Sequence, residues 1–180
     1  MKTIKNIKEE EVFEENFDRV PYLFRDYLYN FTNLLKLNFK EDILSIILFG
    51  SIARGKWTYE SDIDIFILFS NKISNYSKKL TEMIFDYEES TELINEKGKK
   101  LYCSIQDLPL QLRDLDNFRT LFYDIVMDGI ILFDRNQIGF QFFKIIKKKI
   151  YEKGLKRVYI NETDFYWERK EIKFGEIVEL

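Results

Sequence analysis

Two aspartates at the start of an apolar segment are the residues of this chain best suited to chemistry. Asp62 and Asp64 open the sequence DIDIFILF, which predicts a strand from Asp62 to Phe69. Side chains alternate faces along a strand, so both carboxylates project to one face, about 6–7 Å apart along the chain. This arrangement suits one Mg²⁺, or two ions about 3.5–4 Å apart. Without a cation the two carboxylates repel each other.

A glycine–serine pair follows the preceding apolar segment, Ile43 to Phe49, which predicts a strand buried on both faces. Gly50 has no Cβ, so a phosphate can approach the backbone there. Ser51 adds a hydroxyl donor, and the N–H groups of a following helical turn would face the same anion. Alone, each motif has a plain alternative: a strand-to-turn boundary at Gly50, and a solvated strand start at Asp62. Together they favour a site for a metal-bound nucleotide.

The same segment contains most of a second phosphate-binding pattern. GSIARGKW, residues 50–57, matches the P-loop pattern G-x-x-x-x-G-K-[ST] except at its last position. Trp57 stands where a Ser or Thr hydroxyl would bind Mg²⁺. A P-loop also leads into a long helix, and the predicted strand begins about five residues after Lys56, which leaves no room for one. We therefore reject the P-loop.

The order GSIARG followed by SDIDIFI resembles the signature of the polymerase-beta-like nucleotidyltransferase superfamily. Within it, the chain resembles the small prokaryotic minimal nucleotidyltransferase proteins, whose motif commonly reads GSxARG…SDxDL. The resemblance implies that Asp62 and Asp64 are catalytic and bind Mg²⁺, or Mn²⁺ in its place. It also implies that Gly50 and Ser51 bind the terminal phosphates of an NTP, with ATP the expected nucleotide. Arg54 and Lys56 are either further phosphate contacts or ordinary surface charges.

Active members of this superfamily usually carry a third carboxylate on the strand that follows the next helix. Here that strand is predicted over residues 101–106, where Ser104 and Gln106 occupy polar positions. Asp107 is the nearest acidic residue, and a helix or turn cap before Pro109 is its alternative role. Two hypotheses follow. The chain is a Mg²⁺-dependent nucleotidyltransferase acting on an acceptor hydroxyl, or it is a catalytically weak or inactive member that works as a partner-binding module.

The resemblance also implies a partner. Small members of the superfamily resemble antitoxins that act with a separate helical HEPN-type toxin and can adenylylate it, so a protein of that kind is the expected partner and acceptor. An antibiotic is a second class of acceptor. A net charge of −3 does not favour a dedicated nucleic-acid binder. The lysines between Lys144 and Lys153 nevertheless leave RNA binding as a third hypothesis, with a merely solvated face as its alternative.

Composition excludes several other chemistries. The chain has no histidine, which removes Ser-His-Asp triads, Cys-His dyads and imidazole metal sites. Cys103 is the only cysteine, so no intramolecular disulfide or thiolate zinc cluster can form, and we interpret it as a core residue. The N-terminal residues lack the apolar region of a signal peptide, and no apolar run approaches roughly 18 residues. We therefore expect a cytoplasmic protein without membrane association.

The predicted fold class is α+β, with a mixed sheet flanked by helices and a small β-rich C-terminal segment. We expect residues 1–135 to form the nucleotidyltransferase core and residues 136–180 to form a helix and β-rich extension, in a single globular unit. Helices are predicted over 21–37, from Ser74 or Ser77 to near Gly98, over 117–127 with Gly129 as C-cap, and around 142–150 before Gly154; a short strand is predicted over 130–133.

Overall fold

A mixed β-sheet forms the centre of the computed structural model, which describes residues 16–162 and 164–169. In these residues the sheet has four strands in the order β5-β2-β1-β6, with β1 antiparallel to β2 and β6, and β2 parallel to β5. The strands are β1 (Ile43–Phe49), β2 (Ile63–Phe69), β3 (Leu93–Ile94), β4 (Lys100–Leu101), β5 (Ile105–Gln111), β6 (Ile130–Asp134), β7 (Leu155–Tyr159) and β8 (Phe165–Arg169). The helices are α1 (Tyr22–Phe39), α2 (Gly50–Ala53), α3 (Tyr76–Ser90), α4 (Leu121–Asp128) and α5 (Ile138–Glu152).

Helices cover both faces of this sheet, because its two central strands are apolar on both sides. Every residue of β1 is buried, as the continuous apolar sequence predicted. Ile63, Ile65 and Ile67 of β2 belong to the same core as the buried residues of α1 and α3. Phe66 and Leu68 project to the other face and share a second core with α4 and α5. The predicted α+β class with a mixed sheet is confirmed.

Two predicted boundaries between the second and third strands are wrong. α3 ends at Ser90, not near Gly98. Gly98 lies in the turn of a small hairpin formed by β3 and β4, where its φ of +72° suits glycine. The third sheet strand is β5, which begins at Ile105, whereas the prediction placed it over 101–106. Pro109 lies within β5 and is tolerated because β5 is an edge strand.

The later helices and strands lie closer to their predicted positions. The predicted helix over 117–127 starts only at Leu121, and Gly129 is its C-cap as predicted. The predicted strand over 130–133 and the helix before Gly154 are present as β6 and α5. β7 and β8 form an antiparallel hairpin, which confirms the β-rich character of this segment. Residues 170–180, with the predicted turn at Gly175, lie outside the described residues, and the division at residue 135 stays a prediction.

No helix in the described part of the chain is both long and apolar enough to cross a membrane.

Asp134, the last residue of β6, is a buried carboxylate at the start of α5. It is 1% exposed and accepts hydrogen bonds from the backbone N–H groups of Gly139 (2.7 Å) and Phe140 (2.9 Å). Burial raises the pKa of Asp134 to about 6, although these bonds act in the opposite direction. The carboxylate therefore connects the start of α5 to the sheet through hydrogen bonds. Its burial has a desolvation cost, which depends on pH because only the charged form is strongly disfavoured.

This shift predicts a pH dependence of stability that Asp134→Asn should remove. The folded protein binds more protons at this site than the unfolded chain between about pH 4 and 6, so the contribution of Asp134 to the free energy of unfolding falls as pH rises. A rise in the pKa of Asp134 from its ordinary value near 4 to about 6 corresponds to about 3 kcal/mol. Losing one hydrogen-bond acceptor adds a penalty to the variant that does not change with pH. Urea unfolding from pH 4 to 7 should show the difference moving in favour of the variant; a constant difference would contradict the prediction.

Candidate functional site

The two aspartates lie where the two central strands meet at one end of the sheet. Asp64 is the second residue of β2 and pairs across the strands with Phe49, the last residue of β1. Asp62 precedes β2 and is exposed, whereas Asp64 is partly buried. Strand alternation places both carboxylates on the face of Phe66, the face covered by α4 and α5.

Gly50 lies directly against the carboxylate of Asp64. A Cβ at Gly50 would be 1.9 Å from Oδ2 and 2.7 Å from Cγ of Asp64, so any side chain there would displace the carboxylate. Its φ of +73° also favours glycine. The sequence suggested that glycine is needed here for a phosphate to approach, and the structure adds a second requirement, room for Asp64. Ser51 follows in α2, so the glycine–serine turn lies next to Asp64.

The surroundings of Asp64 disfavour its charged form. Burial raises the pKa of Asp64, the negative charge of Asp62 raises it further, and the positive charge of Arg54 opposes both. Mg²⁺ typically binds one or two protein carboxylates together with substrate phosphates and water. Asp62 and Asp64 fit this donor set. Among the described residues, no cluster of three or more His, Cys, Asp or Glu forms a metal site by itself.

The neighbouring strand presents an amide, not a third carboxylate, to this site. In the parallel register of β2 and β5, Asp64 pairs with Gln106, and Ile65 pairs with Asp107. Paired residues of adjacent strands point to the same face, so Gln106 lies beside Asp64 and Asp107 lies on the opposite face. The structure therefore does not bring Asp107 to the site. Its alternative role as a cap is also wrong, because Asp107 is in the middle of β5.

Arg54 caps α2 and connects the site to distant parts of the chain. Its Nη1 lies 3.5 Å from Oδ2 of Asp128, at the end of α4, and its guanidinium lies 5.5 Å from the ring centroid of Phe165 in β8. Sequence reasoning missed both partners, because Asp128 is 74 residues away and neither residue belongs to a motif. Lys56, the other candidate for phosphate contact, is exposed on the loop that follows.

The remaining candidate residues lie away from this chemistry. Cys103 is partly buried, and burial raises the pKa of its thiol, which does not favour a reactive thiolate. Lysines of α5 extend over aromatic rings: the Nζ of Lys147 is 5.6 Å from the ring centroid of Phe143, and that of Lys149 is 5.6 Å from Phe118. RNA binding by this face stays a prediction.

Comparison with known proteins places the chain in a family. Residues 32–138 match the family model described as polymerase beta, nucleotidyltransferase. The chain belongs to the polymerase beta nucleotidyltransferase family. The match includes Gly50, Ser51, Asp62 and Asp64, so the family predicted from these motifs is confirmed, and the mixed sheet with its helices is the nucleotidyltransferase fold. The chain is an enzyme of the nucleotidyltransferase class.

Two similar proteins come from Methanocaldococcus jannaschii. The candidate protein adenylyltransferase MJ0604 is 40% identical over 74 residues, which are 37% of this chain and 74% of that protein. The candidate protein adenylyltransferase MJ1305 is 26% identical over 159 residues, which are 87% of this chain and 97% of that protein. The second alignment extends well beyond the matched family domain.

Similar solved structures include toxin–antitoxin complexes. One, a toxin–antitoxin with AMP-PNP, is 19% identical and has a TM-score of 0.45, covering 69% of this chain and 91% of that chain. Another is a tri-AMPylated Shewanella oneidensis HEPN toxin in complex with an MNT antitoxin, at 18% identity and a TM-score of 0.42, covering 71% of this chain and 91% of that chain.

Proposed function

We propose that this nucleotidyltransferase transfers a nucleoside monophosphate from a Mg²⁺-bound NTP, with ATP the expected nucleotide, to a hydroxyl group of a protein acceptor. The observation that carries the proposal is that the Asp64 carboxylate occupies the space that a side chain at Gly50 would need. It brings the glycine–serine turn next to the aspartate pair, which supports a site that holds both the phosphates and the metal of one nucleotide.

Each residue of the site has a separate task in this proposal. Asp62 and Asp64 would hold Mg²⁺, which when bound supplies polarisation of the α-phosphate and stabilises the leaving pyrophosphate. Gly50 and Ser51 would hold the terminal phosphates, one by exposing its backbone and the other through its hydroxyl. Arg54 would add positive charge beside them. The acceptor hydroxyl would lose its proton to water as its oxygen forms a bond to the α-phosphorus and the bond to pyrophosphate breaks.

The proposed acceptor class rests on the similar proteins. Both M. jannaschii proteins have names that describe candidate protein adenylyltransferases, which supports ATP as donor and a protein as acceptor. A helical HEPN-type protein, expected from the motif resemblance, is the specific partner that we propose to test first. An antibiotic acceptor is the alternative outcome of the same experiment.

The test is label transfer with nucleotides labelled at different phosphates. The protein would be incubated with α-phosphate-labelled NTPs, with and without Mg²⁺ or Mn²⁺, in the presence of a HEPN-type protein or a cell extract. We expect metal-dependent label on a protein from ATP, and none from γ-phosphate-labelled ATP. Label from the γ-phosphate would indicate phosphoryl transfer instead. Absence of transfer, together with absence of Mg²⁺-NTP binding in calorimetry, would overturn the proposal.

The position of Gln106 favours a second candidate function, a partner-binding module with weak or no transfer. An amide beside Asp64 leaves the site with fewer carboxylates than active members of the family usually have. Under this alternative, Asp64→Ala would leave binding of the partner intact, and wild type and variant would transfer equally little label. Under the main proposal only the variant would lose transfer.

The same position offers a gain-of-function prediction. Gln106→Glu should place a third carboxylate beside Asp64 and raise the affinity for Mn²⁺ by about tenfold, since a further negative ligand strengthens cation binding. Transfer should rise as well if metal affinity limits the wild-type enzyme. Gln106→Met, which has similar size but no charge, is the matched control and should not raise the affinity. Titration with Mn²⁺ followed by electron paramagnetic resonance measures the metal affinity of the two variants and of wild type. Equal affinities for Gln106→Glu and wild type would contradict the prediction.

A further inference from the structure

The C-terminal hairpin of β7 and β8 is attached to α4 by a partly buried ion-pair network next to the candidate site. This hairpin lies beyond residues 32–138, which match the family domain. Nη1 of Arg157 in β7 lies 2.8 Å and 2.9 Å from the two carboxylate oxygens of Asp128, and its Nη2 lies 3.1 Å from Asp124. The side chain of Arg157 is only 9% exposed and that of Asp128 14% exposed. Water therefore screens these charges weakly.

Asp128 is shared between two arginines that have unequal contacts with it. Arg157 binds it through two short contacts, whereas Arg54 reaches it at 3.5 Å. Arg54 also borders the candidate site, since it caps the short helix α2 that begins at Gly50, and its backbone N–H donates to the Gly50 carbonyl oxygen at 3.2 Å. Arg54 thus connects the turn that begins at Gly50 with Asp128. The two carboxylates, Asp124 and Asp128, would attract it strongly if Arg157 did not compensate them.

An aromatic ring of the hairpin, that of Phe165, lies close to the guanidinium groups of both Arg157 and Arg54. The guanidinium carbon of Arg157 lies 4.1 Å from the ring centroid of Phe165, and that of Arg54 lies 5.5 Å from the same centroid. A ring face attracts a cation without neutralising it. Phe165 therefore brings Arg54 towards the hairpin while leaving its charge available to an anion.

We propose that Arg157 is a positioning residue for Arg54. By pairing with Asp124 and Asp128, it weakens the attraction of these carboxylates for Arg54, which is then able to bind a phosphate of the nucleotide. The hairpin thereby sets nucleotide affinity from outside the family domain. This inference rests on the proposed function, because it requires a nucleotide bound at Gly50 and Asp64.

The test is a rescue experiment on nucleotide binding. The dissociation constant of the full chain for Mg²⁺ with α,β-methylene-ATP would be measured by calorimetry. Arg157→Gln should raise it about tenfold, because Asp128 then draws Arg54 away from the phosphate. Adding Asp128→Asn should restore it to within about twofold of wild type by releasing Arg54. A purely structural role of Arg157 predicts at most partial rescue, because Asp128→Asn removes an unpaired, partly buried charge but cannot rebuild the lost contacts of the hairpin.

Trp167→Phe provides the matched control for a loosened hairpin. It removes the 2.9 Å hydrogen bond from Trp167 Nε1 to Asp124 while keeping an aromatic ring against Tyr123, and it changes no charge. We expect its dissociation constant to equal that of wild type. If Arg157→Gln does not fold, Arg157→Lys replaces it and should give a smaller loss of affinity that Asp128→Asn also abolishes.

The outcomes separate this inference from the function on which it rests. Absence of nucleotide binding by wild type would overturn the proposed function. Normal wild-type binding with no loss in the Arg157 variants would overturn the positioning role alone. A loss that Asp128→Asn does not restore, or an equal loss in Trp167→Phe, would also overturn the positioning role and assign Arg157 to hairpin stability.

Discussion

Asp64→Asn should lower nucleotide transfer by about a hundredfold to a thousandfold without unfolding the protein. The substitution keeps the shape of the side chain but removes one of the two charges proposed to bind Mg²⁺. In the free protein, Asp64 is already disfavoured as a carboxylate, because burial and the charge of Asp62 raise its pKa. The free energy of unfolding of the variant should therefore equal or slightly exceed that of wild type. Label transfer and urea unfolding measure the two effects separately.

Asp107→Asn is the control for this prediction. It makes the same chemical change on the neighbouring strand, but Asp107 pairs with Ile65 and lies on the opposite face of the sheet. We expect its transfer rate to match that of wild type. Similar losses in the two variants would contradict the placement of the metal site on the face of Asp64.

Gly50→Ala should damage both stability and transfer. The new methyl group would be 1.9 Å from Oδ2 of Asp64, so either the carboxylate or the turn must move. The positive φ of Gly50 adds a backbone cost of about 1–2 kcal/mol for a residue with a Cβ. We expect transfer to fall about a hundredfold, because the displaced carboxylate no longer meets the metal in a productive geometry. The loss should appear in the affinity for Mn²⁺ as well as in the rate.

Gly55→Ala separates the clash with Asp64 from the backbone cost of a positive φ. Gly55 has a similar φ of +67°, but a Cβ there would meet no atom within 4 Å. This variant should carry the backbone cost alone and retain wild-type transfer. If Gly55→Ala lost as much transfer as Gly50→Ala, backbone strain in the loop would explain the result, and the contact with Asp64 would not.

Local sequence patterns were sufficient to predict the two central strands and the aspartate pair. The apolar run over residues 43–49 predicted β1, because a strand buried on both faces needs apolar side chains at every position. The largely apolar segment over residues 62–69 predicted β2. The alternation of a strand also placed Asp62 and Asp64 on one face. The glycine–serine turn and the aspartate pair lie on adjacent strands joined by a short loop, so their proximity followed from the motif itself.

The residues beside Asp64 and around Arg54 were set by contacts between distant parts of the chain. A one-residue change in the register of β5 would exchange Gln106 and Asp107 between the faces of the sheet, and the sequence of that strand does not specify which faces the site. The partners of Arg54 depend equally on long-range packing, because Asp128 is 74 residues from Arg54 and 29 from Arg157. The sequence alone therefore established the family and the aspartate pair. The amide beside Asp64 and the ion pairs around Arg54 emerge only when strands and helices pack, because such contacts depend on chain segments that no local pattern relates.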